Sequence, residues 1–383
     1  MRRLVLLFLV LVSSLALATA VGTTAEKEPY VIGSFLSITG PAAPLGTPER
    51  DTLLMLEEKI NRAGGVDGHP IRIVIEDDAS EPTNAVKAAK KLLEQDRVLA
   101  IIGGSTTGTS LAVIPLVVQA QRPFISFAAG TGITSPDNPW IFRTAQTDVI
   151  MIGKILEYLR TIKITKVAMI YDSNAFGTGG RDQLRKQAPK AGVTVVAEES
   201  FNTKDSDLTV QLVKAKNAGA QAIICWGTNP TPAILTRNRQ QLGFSIPLIQ
   251  SHGVANQTYL ELSGEAAEGV ILPAGKIFVA ESLPADDPQR EVLLEYASSF
   301  RARFGRDPDT FGGHAWDGLY ILCAALKKSG PDPVKLRAAI EATKGFAGIG
   351  GVFTYSPADH DGLTTGAVVL LQVKGGEFKL FRR

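Results

Sequence analysis

Two short turns rich in small and hydroxyl residues are the first candidates for chemistry in this chain. Residues 103–108 (GGSTTG) follow the apolar run 98–102, and residues 128–132 (AAGTG) follow the apolar run 123–127. Short apolar runs of this kind are typical of buried parallel strands, and ligands of such sheets bind beyond the carboxyl ends of the strands. Such turns are common in α/β proteins, but two side by side, one leading into a helix, predict a site for an anion such as a carboxylate.

Motifs for enzymatic or metal chemistry are incomplete in the sequence. Residues 103–110 (GGSTTGTS) have the outline of a phosphate-binding loop without its lysine, and residues 103–107 lack the last glycine of a nucleophile elbow. Neutral N–H and hydroxyl donors without a basic residue suit a single carboxylate better than a phosphate. His69 and His314 have no partners at metal-ligand spacing, and His360 is predicted in a surface turn. The sequence therefore predicts a binding protein that is not an enzyme and has neither a cofactor nor a metal.

The N-terminal segment, residues 1–20, has the pattern of a signal peptide. Arg2 and Arg3 precede an apolar run that is too short to span a bilayer, and small residues lead up to Ala20. Cleavage near Ala20 predicts an exported, periplasmic protein. Removal of the two arginines cancels the net charge of +2, and a neutral chain argues against binding to nucleic acid or to a membrane surface. Cys225 and Cys323 are expected to be buried free thiols, although a disulfide stays open at this stage.

The remaining chain alternates strands and helices in two series of similar length. Strand-like runs and helical periods alternate from residue 29 to 144 and again from 167 to 250. Three further helices and an antiparallel, strand-rich tail from residue 351 onwards complete the chain. This pattern predicts two α/β lobes of one architecture. Helices are expected to begin at residue 49 in the first series and at residue 179 in the second.

Several motifs together resemble one known family. They occur in order through the mature chain at residues 38–41 (ITGP), 61–68 (NRAGGVDG), 76–79 (EDDA), 101–103 (IIG), 171–172 (YD) with 176–177 (FG), 253–256 (GVAN) and 267–269 (AEG). In this order and spacing the chain is similar to the leucine/isoleucine/valine-binding proteins, the extracytoplasmic solute-binding components of ABC importers. The resemblance implies a type I periplasmic-binding fold, in which two doubly wound α/β lobes are joined by a three-crossing hinge. It also implies a monomer that binds a small carboxylate and works with a membrane permease and an ATPase.

The same resemblance implies where the lobes divide. Lobe one is expected to contain residues 29–147 plus 278–352, and lobe two residues 148–277 plus 353–383. The three crossings then lie near residues 146–148, 276–279 and 351–354. Lobes joined in this way close around a ligand like a hinge.

The family's binding residues carry over by motif. In lobe one the ligand carboxylate is expected at the Thr107 hydroxyl and the main chain of Ala128 and Gly130, and Thr131 supplies a further hydroxyl. In lobe two, amino-acid binders have an acidic residue directly before the GVAN segment, and this chain has His252 there. The full set of predicted ligand-binding residues is Leu45, Thr106, Thr107, Ala128, Ala129, Gly130, Thr131, Asp148, Phe176, Thr228, Asn229, His252 and Gly253.

The histidine at position 252 changes the class of ligand that we expect. A buried ammonium without a carboxylate partner is costly, so a branched-chain amino acid fits less well. Residues 253–256, 272–275 and 311–317 are similar to a branch of the family that takes up aromatic carboxylates. The hypothesis is a small apolar or aromatic monocarboxylate, lined by Leu45 and Phe176, whose distal hydroxyl meets His252 or Asn229.

Three alternatives stay open from the sequence. Asp148 could anchor an ammonium, which keeps leucine, isoleucine, valine or a related amino acid as ligand, or it could cap a helix. Phe176 could belong to the core, and His252 could serve the hinge alone. A ligand-sensing receptor that works with a partner signalling protein could use the same fold, and neighbouring genes for a permease and an ATPase would distinguish transport from sensing.

Overall fold

The computed structural model describes residues 27–135 and 138–382, and the predicted signal peptide lies outside these ranges. The first sheet contains five parallel strands in the order β2-β1-β3-β4-β5. Its strands are β1 (Tyr30–Leu36), β2 (Ile71–Asp77), β3 (Ile101–Gly103), β4 (Phe124–Ser126) and β5 (Ile141–Arg143). The central strands β3 and β4 are buried throughout, as their uninterrupted apolar runs predict.

The second sheet contains seven strands in the order β14-β13-β10-β9-β8-β6-β7. Five of them are parallel: β6 (Lys166–Asp172), β7 (Thr194–Phe201), β8 (Ala222–Trp226), β9 (Leu248–Gln250) and β10 (Ile271–Ala274). A separate antiparallel pair, β11 (Phe346–Ala347) and β12 (Val352–Phe353), precedes the last two strands. These strands, β13 (Val369–Lys374) and β14 (Glu377–Leu380), extend the second sheet in antiparallel fashion beside β10.

Eleven α-helices lie among the described residues. They are α1 (Ala43–Arg62), α2 (Pro82–Lys90), α3 (Thr107–Gln119), α4 (Asp148–Thr161), α5 (Ala175–Gln187), α6 (Thr209–Asn217), α7 (Thr231–Gln241), α8 (Gln257–Ser263), α9 (Arg290–Phe304), α10 (Thr310–Ser329) and α11 (Pro333–Glu341). Helices α9 and α10 pack against α1, so the late part of the chain returns to the side of the first sheet. Within the described ranges, no helix combines the length and apolar character that a membrane crossing needs.

Two helices begin earlier than the sequence predicts. Helix α1 starts at Ala43 instead of residue 49, because proline is tolerated near the start of a helix, where N–H groups have no partner. Helix α5 starts at Ala175 instead of residue 179, and the Asn174 side chain caps it by accepting from the Gly177 N–H at 2.9 Å. Its glycines lower helix propensity, but they are needed for packing: a Cβ at Gly177 would lie 1.9 Å from the Asp172 carbonyl oxygen.

Buried side chains from three segments fix the loop at residues 348–350, close to where the chain passes between the sheets. Both carboxylate oxygens of Asp317 accept backbone N–H groups, from Ile349 and Gly350, at 2.7 Å each. Gln146 donates to the Gly350 carbonyl at 2.7 Å, and Gln289 donates to the Gly348 carbonyl at 2.9 Å. The cysteines take no part in such links, since Cys225 and Cys323 are both buried free thiols.

Candidate functional site

A cavity of about 430 Å³ lies between the two lobes, at the carboxyl ends of β3, β4, β6 and β8. Its volume falls within the range of small-molecule sites. Nine of the thirteen predicted ligand-binding residues line it together: Leu45, Thr106, Thr107, Ala128, Ala129, Phe176, Thr228, His252 and Gly253. The structure therefore brings most of the predicted set into one place, with contributions from both lobes.

The first turn presents the N-terminus of α3 to the cavity. The Thr106 side chain caps the helix by accepting from the Thr109 N–H at 3.2 Å. Thr107 is the first helical residue, and its buried hydroxyl has no hydrogen-bond partner among the described residues. The first N–H groups of a helix have no intrahelical acceptor, and this end carries a partial positive charge. A free hydroxyl beside such an end suits a carboxylate.

A buried arginine holds the second turn in place. The Arg143 guanidinium donates to the carbonyl oxygens of Ala129 and Gly130 at 2.7 and 2.8 Å, and through Nε to Asp361 at 2.9 Å. Arg143 also donates to the Thr134 hydroxyl. Because a trans peptide directs its carbonyl and the following N–H to opposite sides, the N–H groups of Gly130 and Thr131 point away from the arginine.

On the lobe-two side, the His252 ring contacts two aromatic rings: Phe176, which lines the cavity, and Trp226, which is fully buried and does not line it. The imidazole meets the ring of Phe176 edge-on at a centroid distance of 5.4 Å, and that of Trp226 at 5.7 Å. Burial, with a smaller contribution from the nearby His314, lowers the pKa of His252 to about 3. His252 is therefore neutral at physiological pH. Gly253 permits this packing, since a Cβ there would lie 2.9 Å from Phe176.

A second histidine, which the sequence did not assign to the site, enters from the other lobe. His314 lies in the first turns of α10 and lines the cavity next to Phe311. Burial lowers its pKa to about 3, against an opposing hydrogen bond to the Thr144 backbone. The sequence signal for this position is the resemblance of residues 311–317 to the aromatic-carboxylate branch.

Comparison with known proteins assigns the family. A family model described as periplasmic binding protein matches residues 29–377. This chain belongs to the periplasmic binding protein family. The prediction of the family is confirmed, as are the type I periplasmic-binding fold with its two α/β lobes and the absence of an enzymatic function. Membership implies an extracytoplasmic location for this periplasmic binding protein.

Individual relatives of this periplasmic binding protein span most of the chain. A Pseudomonas aeruginosa protein named leucine-, isoleucine-, valine-, threonine-, and alanine-binding protein is 29% identical over 80% of both chains. The crystal structure of an extracellular ligand-binding receptor from Rhodopseudomonas palustris is 28% identical, with a TM-score of 0.87 over 92% of this chain and 99% of that one. A periplasmic binding protein type 1 from Bordetella pertussis is also 28% identical, with a TM-score of 0.84 over the same shares.

Four predicted residues of this periplasmic binding protein do not line the cavity: Gly130, Thr131, Asp148 and Asn229. The Asn229 amide donates to Asn256 Oδ1 at 3.0 Å. Asp148 is buried, and neither carboxyl oxygen has a partner in the part of the chain that the structure describes. Burial raises the pKa of Asp148 to about 8, against the opposing effects of Arg143 and Trp226. Asp148 does not cap α4, because Thr147 does so by accepting from the Ile150 N–H.

The periplasmic binding protein shows no cluster of three or more potential metal ligands among its described residues. His360 is buried instead of lying at the surface. Its ring stacks on Phe142 at a centroid distance of 4.2 Å, and Nδ1 lies 2.8 Å from the Ile141 carbonyl oxygen. His360 therefore joins the tail of the chain to the edge of the first sheet.

Replacing Gly130 with alanine is expected to weaken ligand binding at least about tenfold. A Cβ at this position would lie 2.2 Å from Thr107 Cγ2 and 2.8 Å from Thr107 Oγ1, so the threonine must move from its present position. A shift of that size disturbs the first turn, while backbone strain is absent because Gly130 has a φ of −61°. The measurement is a calorimetric titration of wild type and variant with the same ligand. Gly132→Ala is the matched control, since its Cβ would meet only the Leu111 side chain at 3.7 Å. Equal affinity of the two variants would contradict the expectation.

Proposed function

We propose that this binding protein is the solute-binding component of an ABC importer and that it captures a small apolar or aromatic monocarboxylate between its lobes. We take residues 29–147 plus 278–352 as lobe one, and residues 148–277 plus 353–383 as lobe two. Hinge closure buries the ligand, and a ligand that contacts both lobes stabilises the closed state. A membrane permease with its ATPase then distinguishes loaded from empty protein by shape.

Lobe one supplies the carboxylate subsite in this proposal. The neutral donors are the unpartnered Thr107 hydroxyl and the N–H groups at the N-terminus of α3. The turn at Ala128, Ala129 and Gly130, which Arg143 holds in place, supports further N–H donors. Hydrogen bonds to a charged acceptor are about twice as strong as those between neutral groups. These features support binding of one carboxylate without a basic side chain.

The observation that carries the proposal is the chemistry of the lobe-two wall. Its lining residues that the structure describes are Asn174, Ala175, Phe176, Thr203, Lys204, Thr228, His252 and Gly253, and none of them is acidic. An α-ammonium group bound against this wall loses its hydration without gaining a carboxylate partner from lobe two, and the acidic residue among the described lining, Glu81, lies in lobe one. Asp148 compensates poorly, because its raised pKa keeps it protonated at neutral pH and it lies off the cavity. Leu45, Phe127, Phe176 and Phe311 supply apolar surface for the body of the ligand.

An amino-acid ligand is the second candidate, and the name of the Pseudomonas aeruginosa relative favours it. The two candidates differ in one chemical group, the ammonium. A matched pair of ligands therefore separates them: 3-phenylpropanoate and L-phenylalanine have the same carboxylate, chain and ring.

Calorimetric titration of ligand-stripped protein with this pair, and with 4-hydroxybenzoate and leucine, tests the proposal. We expect micromolar binding of at least one aromatic acid, with 3-phenylpropanoate at least about 100-fold tighter than L-phenylalanine, because burying an unpaired charge costs several kcal/mol. Micromolar binding of leucine with no response to the aromatic acids would overturn the monocarboxylate assignment. Genes for a permease and an ATPase beside the coding sequence would support transport over sensing.

A further inference from the structure

Two buried histidines face one cavity from opposite lobes. His252 belongs to the lobe-two turn His252–Val254, and His314 belongs to α10 of lobe one. Their exposed fractions are 7% and 3%, and both line the cavity between the lobes. They are close enough for the charge of one to lower the pKa of the other. The cavity thus has a neutral imidazole on each side of the cleft.

Both imidazoles have unused hydrogen-bonding capacity. Nδ1 of His252 and Nδ1 of His314 are buried and lack a hydrogen-bond partner within the described ranges. Buried polar atoms are nearly always paired, and leaving one unpaired is unfavourable. The other polar side chain considered for this role, Asn229, donates to Asn256 and does not line the cavity. The histidine pair is therefore better suited than Asn229 to contact a bound ligand.

Two neutral imidazoles suit a partner group that can both donate and accept hydrogen bonds. A neutral imidazole has one nitrogen that donates and one that accepts. A hydroxyl group donates one hydrogen bond and accepts others, so it can donate to one ring and accept from the other. An ammonium can donate to the accepting nitrogen of a ring, but neither neutral ring supplies the negative charge that a buried ammonium needs. A methyl or ring C–H leaves both nitrogens unpaired.

We propose that His252 and His314 form a second polar subsite, in which a hydroxyl group of the ligand bridges the two lobes. The ligand class becomes a hydroxy-substituted aromatic monocarboxylate, which deepens the proposed function and rests on it. Because one hydrogen bond goes to each lobe, the hydroxyl is fully paired only when the lobes are closed together. The subsite therefore contributes to closure as well as to selectivity.

Titration with benzoate and the 2-, 3- and 4-hydroxybenzoates tests the subsite in ligand-stripped, full-length protein. At least one hydroxybenzoate is expected to bind about 100-fold more tightly than benzoate, because sites built to pair a hydroxyl discriminate strongly against its absence. His252→Phe and His314→Phe should each reduce this affinity ratio to below about threefold. His69→Phe is the control and should keep the wild-type ratio, since His69 stacks on Tyr30 away from the cavity. Asparagine at either position, which restores a donor and an acceptor, should recover part of the ratio.

The outcomes separate the two proposals. Tight binding of benzoate at the level of all three hydroxybenzoates overturns the histidine subsite and leaves the monocarboxylate function standing. Failure of benzoate and every hydroxybenzoate to bind, together with micromolar binding of leucine, overturns both. A wild-type ratio in folded His252→Phe and His314→Phe, with thermal melting as the check of folding, also overturns the subsite.

Discussion

Arg143→Met is expected to lower the free energy of unfolding by about 3–5 kcal/mol and to abolish measurable ligand binding. The guanidinium is fully buried and pairs with Asp361, which is 31% exposed. Its removal also leaves the carbonyl oxygens of Ala129 and Gly130 without their donors. Breaking a fully buried charged pair costs about 3–5 kcal/mol, but Asp361 is partly exposed and stays hydrated, so most of the loss comes from the two buried carbonyl acceptors, at about 1–3 kcal/mol each. Methionine keeps part of the volume, so the loss reports mainly on the polar contacts.

Binding should fail along with stability because the same contacts define the second turn. Once the two carbonyls are free, nothing keeps the neighbouring N–H groups in their present direction. Urea unfolding of wild type and variant measures the stability change, and calorimetry with the wild-type ligand measures binding. Arg185→Met is the control, since Arg185 pairs with Glu198 at the surface, where such pairs contribute at most about 1 kcal/mol. A loss in Arg143→Met no larger than in this control would contradict the structural role.

Asp148→Asn is expected to stabilise the protein increasingly as the pH rises from about 4 to about 8. The pKa of Asp148 is raised from 3.8 to about 8, mainly by burial. In this pH window the folded state keeps a proton that the unfolded state releases, so the stability of the wild type falls as the pH rises. The slope contributed by one such group is at most about 1.4 kcal/mol per pH unit. Asparagine has no proton to lose, so the variant gains up to about 5 kcal/mol over the wild type by pH 8.

The comparison isolates Asp148 from other buried acids. Burial also raises the pKa of Asp309 to about 7 and that of Asp317 to about 8, but both are present in wild type and variant and cancel in the difference. Urea unfolding at pH 5, 6, 7 and 8 gives the difference directly. Asp286→Asn, at an exposed position, provides the control and should show no trend with pH. A constant difference between Asp148→Asn and wild type across this range would contradict the buried, protonated carboxyl.

The fold was predictable where local pattern and tertiary packing agree. The runs that form β3 and β4 are short, apolar and buried on both faces, so their sequence alone predicts that they are strands. The predicted first residues of α1 and α5 were wrong. Proline and glycine usually mark loops, but at these two positions they lie within a helix. At Gly180, for example, a Cβ would lie 2.3 Å from Trp226 Nε1, so packing against the second sheet requires glycine within a helix.

Those residues of the site that belong to a local sequence motif could be predicted. Thr107 and His252 belong to motifs and were found. His314 and Arg143 were not, because their partners are distant in the chain: Arg143 and Asp361 are separated by 218 residues. The sequence leaves Asp148 as either an ammonium anchor or a helix cap, and only the packing around it reveals that its carboxyl is buried and off the cavity.

The order of the strands has a consequence for synthesis of the chain. Strand β10 of the second sheet pairs with β13, and helix α1 of the first lobe packs against α10. The hydrophobic core of each lobe therefore includes segments that are synthesised near the end of translation. Since chains emerge N-terminus first at about 5–20 residues per second, the growing polypeptide passes most of its synthesis without a finished core. A protein that works outside the cytoplasm must cross a membrane, and an unfinished core keeps the chain in a form that can be threaded through.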